Sequence, residues 1–159
     1  MSTPIPAIAL TKCGIGIFDM EWWKPRLALF RAVTLPSMIA ATRDRPFTWF
    51  LLLDESMPVA ALNLLQQSIK EVGGEIFIRL QFVRTSVEAN RAGLNCIRSV
   101  AGDTDRVIVI RIDDDDAIAC DAFDVVEGAI ANRDRAAVIA LSEGCLLYTS
   151  DAADDCCRV

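Results

Sequence analysis

The ten residues Val107–Asp116 (VIVIRIDDDD) constrain the fold of this chain more than any other stretch. An apolar run with several β-branched residues leads directly into four consecutive aspartates. This pattern is typical of a buried strand that ends in an acidic loop. In open α/β sheets, ligands bind in the crevice beyond the carboxyl ends of the strands. The stretch therefore predicts an α/β fold with a ligand site at the acidic loop.

Four adjacent carboxylates require either solvent or a cation. Two unit charges ~4 Å apart repel by about 1 kcal/mol in water and by about 4 kcal/mol at an effective dielectric constant near 20. A solvated turn tolerates this repulsion, whereas a pocket does not. Carboxylate oxygens suit Mg²⁺ or Mn²⁺, and Mg²⁺ is typically held by one or two carboxylates together with substrate phosphates. Asp113–Asp116 is thus a candidate metal–diphosphate site, and a plain acidic turn or helix start is the alternative.

Strand-like and helix-like segments alternate along the chain. The predicted strands lie within Pro6–Phe18, where the strand runs into a loop with Gly14 and Gly16, and at Phe47–Leu53, Glu75–Val83, Val107 onward and Ala136–Leu141. The predicted helices are Arg26–Thr42 (kinked or divided at Pro36), Val59–Val72, Ser86–Val100 with Ser86 as N-cap, and a helix capped by Asp121 that runs through Ala131. Asp19–Pro25 is predicted as a loop or helix entry. Short connections between buried strands favour a mostly parallel α/β sheet, with the strand from Val107 at its centre.

Composition excludes several classes of function. The formal net charge is −6, so no basic surface is available for a nucleic-acid backbone. The chain contains no histidine, which excludes histidine-based triads and zinc sites. Any acid–base chemistry must therefore use Asp, Glu, Cys, Tyr or Lys.

The cysteines and the termini predict a reducing compartment. No CxxC motif occurs, and Cys13, Cys96 and Cys120 lie in apolar stretches, where cysteine is usually a small core residue. The amino-terminal residues contain neither a basic region nor a signal-type cleavage site, and no apolar stretch approaches the ~20 residues that span a bilayer. We expect a cytoplasmic protein without a transmembrane segment.

The carboxyl-terminal residues are predicted to be foreign to the fold. The string CLLYTSDAADD, which begins at Cys145, resembles the translation of a sequencing adapter. We therefore divide the chain into a partial domain at 1–144 and a non-native tail at 145–159, and leave the tail out of fold reasoning.

Asp54 follows the second predicted strand and has two possible roles. An aspartate at this position can accept hydrogen bonds from a base or ribose. The alternative role is to cap the next helix.

Two motifs resemble those of the putative rhamnosyltransferase family, within the GT-A glycosyltransferases. RLALFRAVTLPSMIAAT followed by FTWFLLLDESMP is similar to its R-x-x-L-F…T-L-P-S-L…Q-T…D stretch, and RIDDDDAI at 111–118 to its T-R-L-D-x-D-D-A-like segment. The likeness covers most of residues 7–130. It departs at 41–42, where Ala-Thr replaces Gln-Thr, and in lacking the family's carboxyl-terminal half.

This resemblance implies a nucleotide-binding half of GT-A type and roles for five residues. Asp54 would contact the nucleoside. Asp113 would hold the ribose or support the metal shell, and Asp115 would coordinate Mn²⁺ or Mg²⁺ bound to the donor diphosphate. Asp116 would contact the metal or the donor sugar, and Arg111 would be a counter-charge beneath the cluster.

The resemblance further implies an inverting, metal-dependent glycosyltransferase that uses a nucleoside-diphosphate sugar, with a deoxyhexose such as rhamnose as the family's sugar. The acceptor hydroxyl is unspecified. No catalytic base is identified before Gly144, so the chain as given is expected to bind donor weakly and to transfer nothing.

Two other classes of protein remain open. A nucleotidyltransferase shares the architecture, but would carry a glycine-rich, basic loop after the first strand, where this chain has DMEWW. The other class is a non-catalytic α/β module, such as a receiver-like domain or a metal-stabilised binding domain. A receiver-like domain would place an acidic pair after the first strand and a lysine after a late one, and neither is found.

Overall fold

A computed structural model describes residues 5–43, 45–102, 104, 106–131 and 137–138. Most of the predicted strand at 136–141 and all of the predicted tail at 145–159 lie outside the described residues.

Four strands form one sheet, and all three strand pairs are parallel. The strands are β1 (Ala7–Cys13), β2 (Phe47–Asp54), β3 (Ile78–Val83) and β4 (Ile108–Arg111). The helices are α1 (Met20–Leu29), a π-helical turn (Phe30–Thr34), α2 (Leu35–Ala41), α3 (Val59–Glu71), a 3₁₀ turn (Gly74–Ile76), α4 (Ser86–Ala101) and α5 (Ala122–Ile130). The predicted parallel α/β architecture is confirmed.

Helices cover the two faces of the sheet unequally. The order β3-β2-β1-β4 places β1 and β2 inside, so both are flanked by strands and almost fully buried. The main core lies on the face covered by α1, α2 and α3, where Trp23, Phe30 and Trp49 are at most 1% exposed. Helix α4 packs on the other face, against Ile8 and Leu52. Side chains alternate along each strand, so adjacent residues at a strand end point into different layers.

The first helix begins earlier than predicted. It starts at Met20 rather than near Arg26, because the side chain of Asp19 accepts a hydrogen bond from the Glu21 N–H at 2.9 Å and caps it. The predicted interruption at Pro36 is confirmed in kind: a π-helical turn precedes α2, and Pro36 lies in the first turn of α2. Proline lacks the N–H that a regular ladder needs, so the helix is divided there.

Three further expectations are corrected. The strand predicted as central, β4, is at an edge of the described sheet and spans only four residues, because β1 and β2 hold the central positions. The N-cap of α4 is Thr85 rather than Ser86, since its hydroxyl accepts from the Glu88 N–H at 3.1 Å. Cys13 and Cys96 are buried as predicted, but Cys120 is exposed.

The predicted ends of α3 and of the β3 segment are largely observed. Helix α3 ends at Glu71, and Gly73 takes the left-handed conformation (φ 67°) that stops helices. The β3 segment begins with the 3₁₀ turn and becomes a strand at Ile78. None of the helices in the described ranges is long and apolar enough to cross a membrane.

Candidate functional site

The candidate site lies where the chain reverses direction across the sheet. From β1 the chain moves outward to β2 and β3, then returns through α4 to place β4 on the other side of β1. The side of β1 on which strands are added therefore reverses between β3 and β4, and the point of reversal lies between the neighbouring strands β1 and β4. In open α/β sheets such a switch point is where ligands bind.

The four aspartates of the loop after β4 occupy different environments. The loop is a turn in which the Asp116 N–H donates to the Asp113 carbonyl at 3.3 Å. Asp113 and Asp116 are exposed, and the side chain of Asp115 is 30% exposed. Asp114 is buried, with its side chain 3% exposed. The sequence predicted one cluster of four aspartates, whereas the turn directs the side chain of Asp114 into the protein interior.

Asp114 fastens the acidic loop to three other parts of the chain. Its Oδ2 accepts from the Cys13 thiol at 3.0 Å, at the end of β1. Its Oδ1 accepts from Nε and Nη2 of Arg26, on α1, at 3.1 and 2.9 Å. Its backbone carbonyl accepts from the Thr34 hydroxyl at 3.1 Å. Asp114 is therefore a buried charge with a cationic partner and a full set of donors, as such a group requires.

Arg26 also binds Asp115. Its Nη1 lies 2.8 Å from Asp115 Oδ2, and its Nη2 donates to Oδ1 at 3.1 Å. The guanidinium carbon lies 5.1 Å from the centre of the Trp22 ring, within cation–π range. One guanidinium thus joins two adjacent carboxylates and rests on an aromatic face.

The ionisation of this cluster follows from its contacts. Burial lowers the pKa of Arg26, but its hydrogen bond to Asp114 and the negative charges of Asp114 and Asp115 outweigh that effect and raise the pKa overall. Burial raises the pKa of the Cys13 thiol, and the charge of Asp114 and the hydrogen bond to it raise the pKa further. Cys13 is therefore a protonated hydrogen-bond donor and not a nucleophile.

The two motifs noted in the sequence meet at this loop. Thr34 and Ser37 belong to the TLPS run, and Arg26 begins the RLALF run. Thr34 donates to the Asp114 carbonyl, and the Ser37 hydroxyl accepts from the Ile118 N–H at 3.3 Å. The helix motif therefore holds the acidic motif in place.

The loop after β1 is shaped by glycine. Gly14 and Gly16 have φ of 57° and 82°, in the left-handed region that favours glycine. A Cβ on Gly14 would lie 2.3 Å from Cζ2 of Trp23, so the indole occupies the space that any larger residue would need. The Trp23 indole N–H donates to the Ile17 carbonyl at 2.9 Å and holds the loop over α1.

Asp54 is a buried link between two loops. Its Oδ2 accepts from the Gly16 N–H at 2.9 Å and its Oδ1 accepts from the Ser56 N–H at 2.8 Å. Its alternative role as a helix cap is not observed, because α3 has Pro58 at its N-cap and no side-chain cap bond. The contact with a nucleoside stays a prediction.

Arg111 lies on the opposite face of the sheet from Arg26. It pairs in register with Leu10 and is exposed beside Lys12 and Asn90, in a cavity of about 120 Å³ under α4. No ion pair of Arg111 with a described residue is present, and the guanidinium that neutralises the acidic loop is that of Arg26. The predicted role of Arg111 as a counter-charge beneath the cluster stays a prediction.

Sequence reasoning missed Arg26, Cys13 and Thr34 as partners of the loop. The bonds of Asp114 span 101, 88 and 80 residues, beyond the reach of local pattern. The available signal was the joint occurrence of the two motifs.

A metal ion at this loop would need ligands other than protein side chains, such as substrate phosphates. Within the described part of the chain, no three His, Cys, Asp or Glu side chains are grouped to hold a metal ion. Two exposed carboxylates and one partly exposed carboxylate suit a hard cation that also binds substrate phosphates.

Comparison with known proteins gives one match. Residues 14–156 match the family described as "Putative rhamnosyl transferase", and the matched span is more than half of the chain. It includes both motifs and also part of the predicted tail. No curated protein and no solved structure matches the chain.

Proposed function

The chain belongs to the putative rhamnosyl transferase family, and from this premise we propose that it binds a nucleoside-diphosphate sugar together with Mn²⁺ or Mg²⁺ for glycosyl transfer to a hydroxyl acceptor. The observation that carries the proposal is the acidic loop at the switch point of a parallel sheet, where Asp113, Asp115 and Asp116 reach solvent and Asp114 does not.

We assign the metal to Asp113 and Asp115, with the diphosphate oxygens as its remaining ligands. Two carboxylates and a diphosphate are a usual donor set for Mg²⁺. When bound, the cation would neutralise the charge that develops on the departing nucleoside diphosphate. Asp116, exposed at the end of the turn, is assigned to the donor sugar or to the metal.

The protein's own residues contribute orientation. The hydrogen bonds from Cys13, Arg26 and Thr34 to Asp114 fix the turn, so that its exposed carboxylates keep their spacing without a ligand. Such preorganisation lowers the cost of binding. Asp54 is assigned to the nucleoside, and it accepts a hydrogen bond from Gly16 in the loop after β1.

Rhamnose as the transferred sugar rests on the family description, because no residue of the described site distinguishes one hexose from another. The proton of the acceptor would need an Asp, Glu, Cys, Tyr or Lys base, since the chain has no histidine. We assign no residue to that role, and inversion at the anomeric carbon is part of the proposal.

The loop after β1 disfavours the nucleotidyltransferase alternative. Its residues, GIGIFD, contain no lysine or arginine to meet a triphosphate, and its conformation is set by Trp23 and Asp54.

A thermal-shift panel on the whole chain tests the proposal. UDP-, GDP- and dTDP-sugars are added with and without Mn²⁺, to the wild type and to Asp115→Asn. A ligand at ~100 times its dissociation constant adds about 2.7 kcal/mol to stability, so we expect a clear upward shift of Tm that requires both Mn²⁺ and one nucleotide. The shift should vanish in Asp115→Asn.

Glu75→Gln is the matched control, since Glu75 is exposed and lies at the start of the β3 segment, away from the acidic loop. It should respond as the wild type does. A Mn²⁺-dependent shift that survives in Asp115→Asn would contradict the assignment, and a folded wild type that responds to none of the ligands would contradict donor binding.

A further inference from the structure

Arg26 supplies positive charge to the acidic loop in the absence of any ligand. It is in contact with two of the four aspartates, and the other two are exposed. Among the described residues, the ion pairs of Asp114 and Asp115 are both with Arg26. The loop therefore carries its own counter-cation.

The two carboxylates bound by Arg26 differ in how easily they could be released. Asp114 is buried and also bonded to the Cys13 thiol, and its backbone is held by Thr34. Asp115 is 30% exposed, and its hydrogen bonds within the described chain come from Arg26. Of the two ion pairs of Arg26, we therefore expect the pair with Asp114 to persist and the pair with Asp115 to be the one that another cation can replace.

The guanidinium itself is held in place. It rests on the Trp22 ring and shares Asp114 Oδ1 between Nε and Nη2. The two carboxylate oxygens of Asp115 contact Nη1 and Nη2 of Arg26 in the bidentate arrangement that arginine forms with carboxylates. A second cation that approaches Asp115 must share these oxygens or displace them from Arg26.

We infer that Arg26 is a positioning residue that competes with the divalent cation for Asp115, so that metal binding breaks the Arg26–Asp115 pair and leaves the Arg26–Asp114 pair intact. This inference rests on the proposed metal–donor function of the loop. Arg26 thereby keeps the four-aspartate turn folded before a cation arrives and lowers the affinity for that cation.

The first test measures Mn²⁺ binding by isothermal titration calorimetry to the whole chain. Removing a positive charge next to the ligand should strengthen binding of a cation, so Arg26→Gln should bind Mn²⁺ roughly tenfold or more tightly than the wild type. Arg26→Lys keeps the charge and should restore weak, wild-type-like affinity. Arg31→Gln is the matched control, because Arg31 is on the same helical segment but is paired with Glu71 on α3.

The second test uses the wild type alone and so does not depend on the folding of a variant. Titration with Mg²⁺ is followed by NMR of the guanidinium ¹⁵N signals of Arg26 and of the side-chain carboxyl carbon of Asp115. We expect both sets of signals to move together with a single midpoint, while the carboxyl carbon of Asp114 stays in place.

The outcomes separate the inference from the proposed function. Equal Mn²⁺ affinity in the wild type and Arg26→Gln, or weaker binding in a folded Arg26→Gln, would overturn the inference alone. Movement of the Asp115 carbon without the Arg26 signals would do the same. Absence of Mn²⁺ and Mg²⁺ binding in both proteins would overturn the proposed metal function and the inference with it.

Discussion

Arg26 and Arg45 make similar contacts at opposite ends of the strands, Arg26 at the carboxyl ends and Arg45 at the amino ends. Each binds two carboxylates and rests on an aromatic ring: Arg26 on Trp22, and Arg45 on Phe123 at 4.9 Å. Arg45 lies just before β2, at its amino end, and reaches Asp124 at 2.8 Å and Glu127 at 2.6 Å, both on α5. Arg26 lies at the carboxyl end, where the acidic loop follows β4.

The two clusters differ in which partner is buried. At the amino ends of the strands, Arg45 is buried (8% exposed) and Asp124 is 75% exposed. At the carboxyl ends of the strands, the carboxylate of Asp114 is buried (3% exposed) and Arg26 is 33% exposed. A buried arginine with one exposed and one partly exposed partner fastens a helix to the domain. A buried carboxylate beneath an exposed acidic turn fixes the charges of that turn. The same residue types therefore serve attachment in one place and the site in the other.

The largest expected effect is on Asp114. Asp114→Asn removes a buried charge whose partner remains, and we expect a loss of about 3 kcal/mol in the free energy of unfolding, since breaking a buried pair is costly. Urea denaturation monitored by circular dichroism measures it. Asp124→Asn makes the same chemical change at the Arg45 cluster and should cost under about 1 kcal/mol, because exposed pairs contribute little. Equal losses in the two variants would remove the distinction between the clusters.

The next effect concerns pH and is specific to the Arg26 cluster. The pKa of Cys13 is raised by burial and by Asp114 above its ordinary value of 9.0. Above pH 9 the unfolded chain loses the thiol proton and the folded protein keeps it, so the folded state binds more protons and stability falls as pH rises. We expect the wild type to lose about 1.4 kcal/mol per pH unit above pH 9 relative to Cys13→Ala.

Urea denaturation at pH 8 to 10.5 measures this difference. Cys96→Ala is the control, because burial also raises the pKa of Cys96 but no carboxylate bonds to that thiol among the described contacts. Its effect on the alkaline slope should be smaller. Parallel curves for the wild type and Cys13→Ala would show that the thiol exchanges its proton equally in both states.

A smaller effect than those on Asp114 and Cys13 is expected for Arg45. Its Nε is buried and has no hydrogen-bond partner among the described residues, so part of the gain from its ion pairs is offset by that cost. We expect Arg45→Gln to lower the free energy of unfolding by only about 1 kcal/mol and to leave Mn²⁺ binding unchanged. Hydrogen exchange should speed up in α5 and not in α1. A change in Mn²⁺ affinity would mean that the two clusters are coupled.

Local pattern was sufficient for much of the fold. The apolar runs of β1 and β2, the glycine stop after α3 and the break at Pro36 all depend on residues within a turn or two, and each was predicted. The parallel sheet followed from the alternation of strands and helices. The early start of α1 depended on a local signal that the prediction did not use, the N-cap at Asp19. The exposure of Cys120 depended on what packs nearby in the fold.

The site divides in the same way. The acidic loop at Asp113–Asp116 and its place after a strand were recognisable from sequence, because four adjacent aspartates at a strand end are a local feature. The separate environment of Asp114 was not recognisable. It depends on the direction in which each side chain leaves the turn, and on a thiol, a guanidinium and a hydroxyl from three other elements.

By itself, the sequence determined that this protein is a parallel α/β domain with an acidic loop and a motif of the rhamnosyl transferase family. These features depend on periodicity, residue type and spacing, all of which are local. Only the tertiary structure decided that β4 lies beside β1, that Asp114 turns inward, and that Arg26 neutralises the loop. Those outcomes require groups about 80 to 100 residues apart to meet, and such meetings are set by strand order and packing.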